Sequence, residues 1–150
     1  MLKIYDVMLE AVQMMRGAGE AIDRRDAGGV GDPRERARDT TGEDNMLKIY
    51  DVMLEAVQMM RGAVEAIDRR DADLARQIRR AASSVVLNVG EGCGSVGRVR
   101  TARYRTALGS ARETRACLQV AEAFGYIGPM NQELQGRIDR VIGTLVRVAI

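Results

Sequence analysis

The chain contains no histidine and no tryptophan, and its two cysteines, Cys93 and Cys117, stand far apart. Without histidine, acid–base catalysis lacks its commonest group. Cys93 and Cys117 do not have the C-x-x-C spacing of a structural zinc site. We therefore expect no catalytic residues, no metal and no cofactor. Two isolated cysteines are typical of a reduced, cytoplasmic protein.

Long apolar runs and aromatic side chains are also scarce. No run approaches the roughly 18–20 apolar residues of a transmembrane helix, so we expect no membrane partner. With one Phe and four Tyr, the core must consist of Ala, Val, Leu, Ile and the nine Met. This composition favours packed helices over a sheet.

A repeat dominates the N-terminal half of the sequence. Residues 1–27 (copy one) return at residues 46–72 (copy two), and the copies differ only at Gly19 and Val64. Such near-identity indicates a recent duplication or deliberate engineering, and both interpretations stay open. Residues 28–45 are polar and Gly-rich, which predicts a flexible linker. If the bundle has one groove for this helix, copy two should occupy it, because Gly19 of copy one has no side chain to bury. Copy one is then domain-swapped, docked as a fifth helix or mobile.

Apolar residues recur at spacings of three and four in four segments after residue 45, which predicts four amphipathic helices. The four apolar stripes are Ile49, Met53, Val57, Met60, Val64 and Ile67; Leu74, Ile78, Ala81, Val85 and Val89; Tyr104, Leu108, Ala111, Leu118 and Ala121; and Leu134, Ile138, Val141, Leu145 and Val148. Short connections then make residues 46–150 an all-α, antiparallel up-down four-helix bundle, with the extra, duplicated helix before it.

Local signals predict where these helices begin and end. Asp71 or Asp73 is a suitable N-cap for the second helix. The third should begin near Gly97 and run to Phe124, where Gly125 ends it. Pro129 suits the first position of the fourth helix.

One glycine-rich stretch, Gly92-Cys-Gly94-Ser-Val-Gly97, matches the G-x-G-x-x-G fingerprint of dinucleotide-binding proteins. That fingerprint works only between a parallel strand and a helix. Here the apolar stripe from Leu74 continues with a helical period up to the glycines. We interpret the stretch as a turn between two helices, and keep a nucleotide-dependent enzyme only as a third option.

Three segments, 78-IRRAASSVVLNVGEGCGS-95, 104-YRTALGSARET-114 and 124-FGYI-127, resemble the four-helix bundle proteins of intervening sequences in bacterial 23S rRNA genes. That family includes the accessory variability determinant proteins of diversity-generating retroelements. The residues that match its pattern are Arg79, Arg80, Ala81, Ala82, Ser84, Asn88, Glu91, Gly92, Ala107, Leu108, Gly109, Ser110 and Glu113. The resemblance covers residues 46–150. It implies a homo-oligomer, a pentamer in the accessory proteins, with RNA and a reverse transcriptase as partners.

Positive charge concentrates in two predicted helices. Residues 76–115 contain nine arginines against Glu91 and Glu113. Arginine suits bidentate phosphate contact, so the candidate residues for binding RNA or DNA are Arg76, Arg79, Arg80, Arg98, Arg105, Arg112 and Arg115. Arg115 aligns with the apolar stripe and can instead pair with a carboxylate at a helix interface. The alternative for the whole set is a solvated face, or ion pairs between subunits.

Polar residues Ser84, Asn88 and Glu91 follow each other at spacings of four and three, beside the apolar stripe of the second helix. Either they form a polar pocket, or they form a buried hydrogen-bond network that sets helix register, which we favour. The sequence as a whole predicts a non-enzymatic, homo-oligomeric accessory or scaffold protein that binds nucleic acid. The alternative is a structural or protein-interaction bundle with no nucleic-acid role.

Overall fold

The computed structural model describes the backbone of residues 33–149 and the side chains of residues 45–149, and all regular structure in this part of the chain is α-helical. The helices are α1 (Pro33–Met59), α2 (Arg61–Asp68), α3 (Ala72–Cys93), α4 (Gly97–Ala123) and α5 (Gln132–Ala149). The predicted all-α class is confirmed. Copy one lies outside the described residues.

Copy two forms the second half of α1, from residue 46, and all of α2, with one interruption. The two helices are separated only by a turn at Met60. Backbone hydrogen bonds nevertheless continue through this turn, from Met60 N to Ala56 O (3.0 Å) and from Val64 N to Met60 O (2.9 Å). The two pieces therefore act as one helix of the bundle. Their apolar stripe is buried as predicted, except that Val57 is only half-buried.

Part of the segment predicted as a flexible linker is helical. Residues 33–45 belong to α1, and residues 28–32 lie outside the described residues. Pro33 takes the first helical position, where its missing N–H costs nothing. The Arg, Glu and Ala residues that follow are good helix formers, and they extend a helix that copy two has already nucleated.

Residues 43–150 form one compact unit, in which α4 runs antiparallel to both α3 and α5. Bonds between α3 and α4 join residues that ascend one helix while they descend the other, and the same holds between α4 and α5. These pairs are Gln77 with Glu113, Ser84 with Ser110 and Glu91 with Arg103, then Arg105 with Ala149 and Arg115 with Asp139. The predicted up-down order is therefore confirmed.

The core collects the apolar stripes of all these helices. Its fully buried side chains include Met53, Ile67, Ile78, Val85, Leu118, Ile138 and Leu145. Thr114 is the buried polar residue of this part of the chain, and its hydroxyl donates to the carbonyl of Ser110 at 2.9 Å. None of the helices within residues 33–149 combines the length and apolarity needed to cross a membrane.

The helix ends follow the predicted signals with one exception. Asp71 caps α3, since its carboxylate accepts from Leu74 N at 2.9 Å. Gly125 has a φ of 68° after α4, where Tyr126 N bonds Ala121 O at 2.8 Å and closes a Schellman turn. The prediction for Pro129 is wrong. Helix α5 begins three residues later, because Asn131 caps it by accepting from Glu133 N at 2.7 Å.

Candidate nucleic-acid interface

The glycine-rich stretch lies at the junction of α3 and α4. A Cβ atom built on Gly92 would come within 2.7 Å of Tyr104 Cδ1, which is too close for two carbon atoms. At Gly94 a Cβ would meet only the carbonyl oxygen of Glu91, at 3.9 Å. Gly97 starts α4 with a φ of 57°, a conformation that favours glycine. The stretch joins the end of one helix to the start of the next, which confirms the predicted turn between two helices.

A surface cleft of about 420 Å³ lies beside this helix pair, and we call it the α3–α4 cleft. Seven of its residues come from one face of α3, because spacings of three and four repeat along a single helix face. The eighth, Arg103, comes from α4. The lining residues are Arg79, Arg80, Ser83, Ser84, Leu87, Asn88, Glu91 and Arg103.

A chain of hydrogen bonds runs along the wall of the cleft. The hydroxyls of Ser84 and Ser110 lie 2.8 Å apart, which links α3 to α4. Asn88 Nδ2 donates to the carbonyl oxygen of Ser84 at 2.8 Å, and its Oδ1 accepts from Arg103 Nη1 at 3.4 Å. The same Nη1 lies 2.8 Å from Glu91 Oε2. Ser84, Asn88 and Glu91 therefore join one network, which Arg103 completes.

The network is not buried, and in this respect the prediction is wrong. Ser84 and Asn88 are half-buried, and the side chain of Glu91 is 46% exposed. The reason is the direction in which α3 packs. Ala81 and Val85 point to the core, so Ser84 and Asn88 fall at the margin of the interface. The pocket and the network, which were alternatives for these residues, occupy the same place.

Two of the predicted arginines, Arg79 and Arg80, line the cleft on α3. Arg79 donates to both carboxylate oxygens of Asp68, at 2.9 and 3.4 Å. This hydrogen bond holds the pKa of Asp68 below its ordinary value. Arg80 is exposed and makes no hydrogen bond or ion pair with any residue whose side chain the structure describes.

Arg76 lies on α3 outside the cleft. Its guanidinium pairs with Asp73 at 2.6 Å, and both side chains are more than two-thirds exposed. An ion pair of this kind within one helix turn holds little energy. Arg76 is therefore close to the cleft residues in sequence but does not line the cavity.

The predicted arginine stripe of α4 faces α5 and not α3. Arg105 Nε donates to the carbonyl oxygen of Ala149 in α5 at 2.8 Å. Arg98 and Arg112, seven residues to either side, share that helix face. Both are exposed, and neither pairs with another side chain in residues 45–149. Arg103, by contrast, turns to α3.

Arg115 also faces α5. Its guanidinium pairs with Asp139 at 2.8 Å, which is the helix-interface pairing that its position in the apolar stripe suggested. The pair lies in a second cleft of about 530 Å³ between α4 and α5. The predicted residues therefore divide between two sides of α4. Arg79 and Arg80 lie on the α3 side, and Arg98, Arg105, Arg112 and Arg115 lie towards α5.

Three residues of the cleft region were missed from sequence, namely Arg103, Ser83 and Ser110. Arg103 lies outside the seven-residue spacing of the predicted stripe. It does lie seven residues before Ser110, which belongs to the family motif. That spacing puts both on one helix face, and it is the signal that would have found Arg103.

Metal and thiol chemistry have no assembled site among the described side chains. Residues 45–149 contain no group of three potential metal ligands. Cys93 and Cys117 form no disulfide. Burial raises the pKa of the Cys117 thiol, and the charge of Glu113 adds to this. The polar chemistry therefore concentrates in the α3–α4 cleft.

Comparison with known proteins supports the resemblance found in the motifs. A family model described as 23S rRNA-intervening sequence protein matches residues 46–147. No curated protein and no solved structure shows significant similarity to the chain. The match begins at copy two, as the motifs predicted, and leaves out copy one and residues 28–45.

Proposed function

We propose that this chain, which belongs to the 23S rRNA-intervening sequence protein family, is a non-enzymatic accessory protein that binds nucleic acid through the arginines of α3 and α4. The observation that carries the proposal is the α3–α4 cleft, which gathers three guanidinium groups in one cavity. The family is not known as an enzyme family. We expect the protein to act as a homo-oligomer.

The cleft is rich in groups that recognise phosphate oxygens. Arg79, Arg80 and Arg103 supply guanidinium donors, and the hydroxyl of Ser83 adds another donor. Guanidinium groups match phosphate geometry and can bind it with two parallel hydrogen bonds. Arg80 is the residue with which we expect binding to begin, since no described side chain engages it.

The carboxylates that hold the other two arginines do not prevent phosphate binding. The side chains of the Arg79–Asp68 and Arg103–Glu91 pairs are between 40% and 47% exposed. Exposed pairs of this kind contribute little to stability, because water screens the attraction between the charges. A phosphate group can therefore displace either carboxylate at small cost. The carboxylates meanwhile keep the guanidinium groups at the cleft in the free protein.

The same cleft indicates what kind of nucleic-acid contact to expect. Its eight lining residues include no aromatic side chain on which a base could stack. Contacts to the phosphate backbone should therefore dominate over contacts to bases. Binding should depend weakly on sequence and strongly on salt.

The test is RNA binding by the full chain, measured by fluorescence anisotropy from about 50 to about 200 mM salt. The variant Arg80→Ala/Arg103→Ala removes two charges from the cleft. Arg140→Ala/Arg147→Ala removes two exposed charges from α5 and is the matched control. For single-stranded RNA each lost phosphate contact should reduce the slope of log K against log salt by about 0.7. We expect a reduction of about 1.4 in the cleft variant and little change in the control.

Two results would contradict the proposal. If wild-type protein binds no RNA or DNA at the lowest salt, the nucleic-acid function is wrong. If the two double variants lose equal affinity and slope, general positive charge, and not the cleft, attracts the ligand. A reverse transcriptase as protein partner stays a prediction of the family resemblance.

A second candidate function is a protein-interaction bundle without a nucleic-acid role. It is favoured by apolar side chains exposed at the two ends of α4, with Val96 77%, Val99 58% and Phe124 69% exposed. Exposed apolar clusters often mark interaction sites. Sedimentation velocity of wild type and Val96→Asp/Val99→Asp tests this. Assembly that the variant abolishes, in a protein that ignores RNA, would favour this candidate.

A further inference from the structure

Copy two shows which side chains a helix buries at this position of the bundle. Copy two fills a groove with side chains that are almost fully buried. These are Met46, Ile49, Tyr50, Met53, Ala56, Met60, Val64 and Ile67. Every one of them except Val64 has an identical counterpart in copy one, namely Met1, Ile4, Tyr5, Met8, Ala11, Met15 and Ile22.

Copy one also repeats the acidic residues through which copy two makes its charged contacts. Glu55 pairs with Arg137 of α5, and Asp68 pairs with Arg79 of α3 at 2.9 Å. Their counterparts in copy one are Glu10 and Asp23. Both the apolar residues of this face and the two carboxylates that pair with Arg137 and Arg79 are therefore present twice in the sequence.

The single difference falls on a buried position. Val64 is 6% exposed and packs into the core from α2, whereas its counterpart Gly19 offers no side chain. Glycine at this position loses the buried Val surface and lowers helix propensity. Among the buried positions in the groove, that of Val64 is the one at which the two copies differ.

We propose that copy one is a second, competent occupant of the groove that copy two fills, and that it takes the groove within the same chain when copy two cannot. Val64 keeps copy two in place in the wild-type protein. This inference does not depend on the proposed nucleic-acid function.

The connection to α3 also favours copy two. Only three residues, 69–71, separate α2 from α3. If copy one filled the groove, residues 24–71 would form the connection, and its two ends would lie as close together as those of the short loop. Closing a longer loop costs only a slowly growing entropy, on the order of a 50-fold weaker effective concentration here. The long connection therefore disfavours copy one without excluding it, and it still keeps copy one more concentrated than a second chain would be.

The experiment uses the full chain and three variants. Met53→Asp places a charge at a fully buried position of copy two, and Met8→Asp makes the same change in copy one. The third variant carries both substitutions. Thermal unfolding followed by circular dichroism gives the stability of each. We expect Met8→Asp to melt like wild type, Met53→Asp to keep a cooperative transition at a lower temperature, and the double variant to lose it.

A further substitution reports which copy sits in the groove. Adding Gly19→Val to Met53→Asp should raise the melting temperature, because the only buried difference between the copies is then removed. The same substitution in wild type should change the melting temperature much less. Light scattering at several concentrations should give the same mass for Met53→Asp as for wild type.

Three results would overturn the proposal. If Met53→Asp and the double variant unfold alike, copy one does not replace copy two. If Gly19→Val leaves the Met53→Asp melt unchanged, position 19 does not occupy the place of Val64. If Met53→Asp folds only with an increased, concentration-dependent mass, a second chain supplies the helix, and the same-chain replacement is wrong.

Discussion

Helix α4 directs arginines towards a neighbour on either side, Arg103 towards α3, and Arg105 and Arg115 towards α5, but the surroundings differ. On the α3 side Arg103 joins hydroxyl, amide and carboxylate groups around an open cleft. On the α5 side Arg105 bonds a backbone carbonyl near the end of the chain, and Arg115 is held by Asp139. Arg105 and Arg115 therefore link α4 to α5, whereas Arg103 links α4 to α3 at the rim of a cleft.

Several short side chains lie at the interface between α3 and α4. Between α3 and α4 the facing residues include Ser84, Ser110, Gly92 and Ala107. Short side chains let the two helices approach closely, as at Gly92 and Tyr104. The number of arginines along a helix does not predict which of them are paired, because the neighbouring helix determines which guanidinium groups have a partner within reach.

The largest effect on stability is expected from a substitution at the close contact between α3 and α4, where Gly92 meets Tyr104. Gly92→Ala would push a methyl group into the ring of Tyr104, and overpacking of this kind costs about 1–3 kcal/mol. Gly94→Ala is the matched control, because a Cβ there is almost unopposed. Urea unfolding should show a destabilised Gly92→Ala and an unchanged or slightly stabilised Gly94→Ala. Equal stability of the two variants would show that Tyr104 moves away freely.

A smaller effect is expected from the hydroxyl pair that links the same two helices. Ser84→Ala or Ser110→Ala alone should cost about 0.5–1.5 kcal/mol, because one hydroxyl then loses its partner. The double variant should cost less than the sum, since both polar groups are removed together. A double-mutant cycle by urea unfolding measures this coupling. Strictly additive costs would mean that the 2.8 Å contact does not couple the helices.

The smallest effect concerns pH and the Arg79–Asp68 pair at the edge of the cleft. The hydrogen bond from Arg79 lowers the pKa of Asp68 in the folded protein. A lowered pKa contributes stability that is present above the unfolded value and is lost as the pH falls below about 4 through the folded value. Asp68→Asn should therefore remove part of the acid sensitivity in melting temperatures measured from neutral to acidic pH. Parallel curves for the two proteins would contradict a stabilising role for the pair.

Much of the fold was predictable because its signals are local. Asp71 caps α3 and Gly125 ends α4, since capping and a positive φ depend on neighbouring residues only. Pro129 was misplaced because Asn131, a better cap, competes two residues later. The helix over residues 33–45 was missed because a polar composition predicts exposure and does not by itself exclude an extension of the next helix.

The site was less predictable than the fold. Ser84, Asn88 and Glu91 were recognised as one group from their spacing on α3, but their partner Arg103 comes from α4. Contacts between helices depend on register and rotation, which a single helix period does not specify. Arg115 was predicted as a nucleic-acid contact, with pairing at a helix interface as the alternative; it pairs with Asp139, and the signal for that alternative, its place in an apolar stripe, is again local.

By itself the sequence determined the class of the protein, the helix stripes, the family and the repetition of the first helix, because each depends on residue order and periodicity along one segment. Only the tertiary structure decided that the arginines separate onto two sides of α4, that the polar residues of α3 line an open cleft, and that Gly92 is required by Tyr104. These features depend on which side chains meet across helices. That choice is made by close packing of the whole core.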